Sequence, residues 1–144
     1  MKLKEFIFII PARKGSKGIK NKNIIKIKNK SLVEYTFETL NQIPSDRKYV
    51  LTDSEKVKKI ANNYKINTNY IRAKELSKDN TLLVDNLIHF DEFIDNKLKF
   101  KHYVILQPTS PLRNFKDIIQ SIKKYLSNKS DSLFSISPSS EHPS

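Results

Sequence analysis

Phe6-Ile7-Phe8-Ile9-Ile10-Pro11-Ala12-Arg13-Lys14-Gly15-Ser16-Lys17-Gly18 is the stretch whose reading decides the fold of this 144-residue chain. Phe6–Pro11 is a continuous apolar run of strand length, as expected for a strand buried on both faces. Basic Met1-Lys2-Leu3-Lys4 precedes it, which raises the question of a signal peptide. Five apolar residues fall short of the ~7–15 of a secretory core segment. The run therefore predicts a buried first strand, and the chain is expected to be cytoplasmic. The loop that follows holds both glycines of the protein, Gly15 and Gly18.

Working outward, apolar runs alternate with amphipathic stretches. Ser31-Leu32-Val33-Glu34 has the pattern of a capping box. Leu32, Tyr35, Phe37, Leu40 and Ile43 follow at helical spacing, and Pro44 stands as a stop. Lys48–Thr52 reads as a second strand, with Asp53-Ser54 as the cap of a helix over 55–64 that places Val57, Ile60, Ala61 and Tyr64 on one face. A third strand is expected over 67–71. After a polar loop to Asp79 or Asn80 comes a longer helix with Leu83, Leu87, Phe90 and Ile94. Tyr103–Leu106 reads as the fourth strand, Asn114 as the cap of a helix with Ile118, Ile119, Ile122 and Leu126, and 132–137 as a fifth strand. Alternation of this kind implies a mainly parallel sheet with helices on both faces, a three-layer α/β/α domain. Ligands in such sheets gather at the carboxyl ends of the strands, where the loops after Ile10, Ile71 and Leu106 fall.

Composition narrows the function classes. The chain has no cysteine, which excludes disulfides, thiolate metal sites and a cysteine nucleophile. No apolar run approaches the ~20 residues that cross a bilayer. The formal net charge of +12 calls for an anionic partner. Its lysines, however, are spread over the presumed polar faces of helices (Lys56, Lys58, Lys59, Lys123, Lys124), so no specific nucleic-acid partner is expected. One 144-residue domain is expected over 1–144.

The basic cluster between Arg13 and Lys30 differs because it sits in a patterned loop. Glycine lets the main chain approach a ligand closely. Exposed backbone N–H groups cradle anions, and Arg13, Lys17 and Lys22 add positive charge. A triphosphate is the natural guest; a basic surface turn is the plainer reading. The segment is neither a P-loop nor a dinucleotide fingerprint, since neither G-x-x-x-x-G-K-[ST] nor G-x-G-x-x-G occurs.

Ile10-Pro11-Ala12-Arg13-x-Gly15-Ser16-Lys17-Gly18, followed by Lys22-Asn23, resembles the signature of the acylneuraminate cytidylyltransferases, the CMP-sialic acid synthetases. Leu51-Thr52-Asp53-Ser54 resembles that family's second-strand segment. Arg72-Ala73-Lys74-Glu75-Leu76-Ser77-Lys78-Asp79 resembles R-P-x-E-L-S-x-D, with alanine in place of proline. Leu106-Gln107-Pro108-Thr109-Ser110-Pro111-Leu112-Arg113 matches L-Q-P-T-S-P-L-R in full. Asp131-Ser132 and His142-Pro143 follow in order.

The resemblance implies a nucleotide-diphospho-sugar transferase-like, Rossmann-like fold. It implies transfer of CMP from CTP to a nine-carbon 2-keto sugar acid of sialic, legionaminic or pseudaminic type, with release of pyrophosphate. A non-catalytic nucleotide-binding remnant is the alternative. Arg13 and Lys22 would be the catalytic cations on the triphosphate. Ala12, Arg13, Gly15, Ser16, Lys17, Asn23 and Arg72 would bind the nucleotide, Arg72 beside the cytosine, and Gln107 would hold the acceptor sugar. Arg113 would pair with a carboxylate rather than meet the substrate. Mg2+ and a homodimer are implied for the full-length family. The family's dimerisation arm and magnesium-binding aspartate pair lie beyond the His-Pro segment, so no metal ligand is expected in these 144 residues, and slow or absent turnover is expected of them alone. Asn29-Lys30-Ser31 stands where Gly-Lys-Pro is usual, with Asn29 expected to take the left-handed turn conformation.

Overall fold

The computed structural model describes residues 2–15, 18–78, 81–94 and 100–136. At its centre lies β1 (Phe6–Pro11), whose first five residues are buried. β4 (Lys48–Leu51) pairs with it in parallel on one side and β5 (His102–Ile105) on the other, giving the order β4-β1-β5. Between β1 and β4 come a two-stranded hairpin, β2 (Lys26–Ile27) and β3 (Lys30–Ser31), and α1 (Leu32–Asn41). The remaining helices are α2 (Glu55–Asn63), α3 (Leu83–Ile94) and α4 (Phe115–Ser127).

The period-two alternation of β1 divides the core. Phe6, Phe8, Ile10 and Ala12 face one way, against Val33, Phe37 and Leu40 of α1, Val57 and Ala61 of α2, and Ile118 and Ile122 of α4. Ile7 and Ile9 face the other way, against Tyr70 and Phe90 and Ile94 of α3. A strand covered on both faces must be apolar at every position, which explains the unbroken run. All three expected caps are built, two of them as capping boxes. The backbone N–H of Ser31 donates to the Glu34 carboxylate at 2.6 Å. In α4 the Asp117 N–H donates to the Asn114 side chain at 3.0 Å, and the Asn114 N–H to Asp117 at 3.4 Å.

Three expectations are corrected. The third strand is reduced to one parallel bridge, Tyr49 with Asn67. Beyond it the chain turns so that Tyr70 is buried (1 % exposed) and its hydroxyl meets His89 Nδ1 at 2.8 Å, while Ile71 is 76 % exposed. The expected fifth strand, as far as residue 136, lies in no ladder, and Phe134 and Ile136 are exposed; its last residue is outside the described set. Apolar alternation makes a strand only where a neighbour and a core receive it. Finally, Lys28 takes the positive φ of the β2–β3 turn (58°), and Asn29 does not.

From β4 the chain moves outward to Asn67 and then returns through α3 to β5, on the far side of β1. The connections therefore reverse direction at β1, and its carboxyl end is the position where sheets of this class open a ligand crevice.

Candidate functional site

The loop after β1 is fixed from β4. Ala12 is fully buried, and its N–H donates to the Leu51 carbonyl at 3.0 Å, one step past the strand. Its carbonyl accepts the Thr52 hydroxyl at 2.5 Å, and that same hydroxyl accepts the Ser54 N–H at 3.0 Å. Two residues past Ala12, the Lys14 N–H donates to Asp53 Oδ1 at 2.7 Å. Ser54, not Asp53, caps α2, accepting the Val57 N–H at 3.4 Å. Asp53 is thereby released to bind the loop.

Asn23, 8 % exposed, closes the loop from its other end by donating its side-chain amide to the Arg13 carbonyl at 3.0 Å. Its donor thus serves the loop itself. Lys22 and Asn23 sit in a single turn of 3-10 helix, Lys22–Ile24, entered through Asn21 at φ 56°. The Arg13 side chain is half-buried, beside Gly15: a Cβ built at Gly15 would meet Arg13 Nη1 at 3.9 Å, an ordinary contact. Gly18 has φ +92°, which side chains rarely adopt, so glycine is required there. Ser16 and Lys17 lie outside the described residues.

Arg72 is 8 % exposed, and it folds back on its own loop, with Nε and Nη2 donating to the Leu76 carbonyl at 3.0 and 2.7 Å. Burial lowers the pKa of its guanidinium; Asp53 opposes this and Arg13 adds to it. Arg13, Asp53 and Arg72 therefore share one electrostatic neighbourhood, in which the Asp53 carboxylate stands against two guanidinium groups. The loop after β1 and the loop that carries Arg72 lie close enough to act on each other electrostatically. Asp79 and the side chain of Lys74 lie outside the described residues.

Gln107 begins the loop after β5 with its side chain exposed, and Pro108 is buried. The Gln107 carbonyl accepts the Ser110 N–H at 3.4 Å and Arg113 Nη2 at 3.3 Å, and Thr39 of α1 donates its hydroxyl to the Arg113 carbonyl at 3.1 Å. Arg113 meets no carboxylate among the described residues, which corrects the expected pairing. Burial lowers its pKa also.

The residues that sequence reasoning missed are Thr52 as a loop clamp and Asp53 as a cross-loop acceptor. Their signal was the Thr-Asp-Ser string itself, three polar residues directly after a buried strand. Among the described residues, no three His, Cys, Asp or Glu side chains come together to hold a metal ion, and no helix is long and apolar enough to cross a membrane.

Comparison with known proteins bears on this geometry. The family described as Cytidylyltransferase matches residues 7–141. The chain is 37% identical over 126 residues to an N-acylneuraminate cytidylyltransferase of Escherichia coli O18:K1:H7, covering 84% of this chain and 28% of that protein. It is 37% identical over 131 residues to a pseudaminic acid cytidylyltransferase of Campylobacter jejuni, covering 88% of this chain and 55% of that one. The chain thus spans between about a quarter and about a half of the length of these two relatives. A solved CMP:2-keto-3-deoxy-manno-octonic acid synthetase complexed with CTP superposes with a TM-score of 0.67 at 19% identity, over 87% of this chain and 48% of that structure, and so shares the fold. By its own loops and by this match across nearly all of its length, the chain belongs to the cytidylyltransferase family.

Proposed function

We propose that the chain is the nucleotide-binding portion of an enzyme that transfers CMP from CTP to a nine-carbon 2-keto sugar acid of sialic, legionaminic or pseudaminic type. In this reaction the anomeric hydroxyl oxygen attacks the α-phosphorus and loses its proton. The bond from that phosphorus to the β-phosphate oxygen breaks, and pyrophosphate departs. The transition state gathers negative charge on the phosphoryl oxygens, so fixed cations and N–H groups aimed there are what such a site supplies.

The observation that carries this reading is the clamped loop, in which the Lys14 N–H is bound to Asp53 and the Ala12 carbonyl to Thr52, at the carboxyl end of β1 beside Arg72. A cradle held in place before the ligand arrives loses little entropy on binding. In this proposal Arg13 and Lys22 neutralise the triphosphate, Arg13 as a planar fork and Lys22 as a point charge. Backbone at Ala12 and Gly15, with Ser16 and Lys17, wraps the phosphates. Asn23 acts chiefly by bracing the Arg13 carbonyl, Arg72 presents its remaining N–H groups to the cytosine carbonyl, and Gln107 presents its amide to the acceptor. Among the described residues no three His, Cys, Asp or Glu side chains cluster to hold the Mg2+ that accompanies CTP in such reactions, and each role named here belongs to the chain's own groups. A cytoplasmic homodimer is proposed for the full-length protein.

Calorimetric titration with CTP, UTP, ATP and GTP tests the nucleotide, and pyrophosphate release in the presence of each sugar acid tests the transfer. CTP is expected to bind most tightly; equal affinity for all four would overturn the cytidine assignment.

A further inference from the structure

Leu112 and Arg113 stand side by side at the end of the loop after β5, and each lies where hydropathy would place the other. Leu112 is 94 % exposed, whereas Arg113 is half-buried with its guanidinium turned inward. The Arg113 Nη1 is buried and has no hydrogen-bond partner, and no carboxylate among the described residues meets the group. A buried cationic donor left short of an acceptor destabilises a fold.

Stability does not call for this guanidinium. The anchoring of the loop is done by the Arg113 backbone: its N–H donates to the Ser110 carbonyl at 3.3 Å, and its carbonyl accepts the hydroxyl of Thr39 in α1 at 3.1 Å. Neither bond depends on the side chain. The side chain instead reaches back across the loop, Nη2 donating to the Gln107 carbonyl at 3.3 Å. That carbonyl also accepts the Ser110 N–H at 3.4 Å, so it would keep a partner if the guanidinium were removed. An apolar side chain in place of an incompletely matched buried cation is often neutral or stabilising. Groups held against stability gather where function needs them. Here the held point is the main chain of Gln107, whose own side chain is exposed.

We infer that Arg113 is a positioning residue for the acceptor sugar acid: by holding the Gln107 main chain it sets the direction in which the Gln107 amide meets the acceptor, without touching the acceptor itself. This rests on the role proposed above for Gln107. A contact that must be oriented weakens when the group that makes it is free to swing.

The test uses the whole chain saturated with CTP and titrated calorimetrically with N-acetylneuraminic, legionaminic and pseudaminic acid in separate arms, beside thermal melts and hydrogen exchange. Arg113→Met is expected to weaken the best-bound acid about five- to tenfold, with CTP affinity unchanged and Tm equal to or above the wild-type value. Arg113→Lys, which keeps a donor but loses the fork, recovers part of the loss. Adding Arg113→Met to Gln107→Ala weakens the acceptor no further, because Arg113 acts through that side chain. The Ser110 amide, bonded to the Gln107 carbonyl, exchanges faster in Arg113→Met. Acceptor affinity that falls in Gln107→Ala but not in Arg113→Met overturns the inference, as does a fall in Tm that lowers CTP and acceptor affinity together. If no acid binds the wild type, or Gln107→Ala leaves acceptor affinity unchanged, the role of Gln107 fails instead. Exchange at Ser110 then decides alone: faster exchange in Arg113→Met supports the hold on the Gln107 main chain, and unchanged exchange overturns it.

Discussion

At the scale of single residues, the site depends on a few side chains that hold backbone and do not themselves meet a ligand. Thr52, 1 % exposed, is one of them: its hydroxyl donates to the Ala12 carbonyl and accepts the Ser54 N–H. Thr52→Val keeps the shape and removes both bonds, leaving two polar groups short of a partner. A loss of about 1–3 kcal/mol is expected, read as a fall in Tm of roughly 3–9 °C, with CTP affinity weakened because the loop after β1 is no longer anchored. An unchanged Tm and unchanged CTP affinity in thermal melts and calorimetry would show that the clamp is idle. The Thr-Asp-Ser string marks polar residues directly after a buried strand, but the partners of both clamps could not be read from it. Thr52 and Ala12 are 40 residues apart, and Asp53 and Lys14 are 39 apart, so only the folded sheet brings them together. The motifs around Arg13, Lys22 and Arg72 single these cations out in the sequence; their roles on the nucleotide are the proposal made above.

Among the elements, α1 carries the clearest local instruction and a pH dependence of known sign. Burial by itself raises the Glu34 pKa, but hydrogen bonds from the Ser31 hydroxyl and amide, with help from Tyr64 and Lys26, outweigh it, so the net direction is down from 4.5. A carboxylate with a lowered folded pKa contributes stability that is complete above the unfolded value and fades as pH falls through the folded one. Glu34→Gln is therefore expected to cost about 1 kcal/mol at neutral pH and nothing extra once pH is well below 4. Urea melts of both proteins over pH 3–7 check this, and a gap that fails to narrow on acidification contradicts it. Caps were legible because Ser31 and Glu34, or Asn114 and Asp117, are three residues apart. Strands were legible where the sheet supplies a neighbour: β4 and β5 lie within one residue of the expected bounds. β1 is read straight from its apolar run, whereas 67–71 and 132–136 have the right residues without the ladder, since pairing depends on distant chain. The conformation of the β2–β3 turn depended likewise on which of two adjacent residues, Lys28 or Asn29, fits the hairpin.

For the molecule as a whole, two cores share one strand, and the smaller of them is aromatic. Phe90 of α3 is fully buried and meets Tyr49, Tyr70, Phe93 and Tyr103 at ring-centroid distances of 5.1 to 6.5 Å. Phe90→Ala is expected to remove about 3–5 kcal/mol, enough to unfold much of a marginally stable domain; a denaturation midpoint close to that of the wild type would show that this layer is dispensable. The excess charge of +12 is spread along the chain and draws anions in generally; in the proposed reading the clamped loop after β1 gives that attraction a fixed geometry. Calorimetric titration of CTP into the wild-type chain and into Arg13→Ala/Lys22→Ala, at matched ionic strength, separates the two effects most directly. Loss of both cations is expected to weaken CTP at least about a hundredfold, at roughly 1.5–3 kcal/mol for each charge-assisted contact. CTP binding of wild-type strength in the double variant would contradict the account.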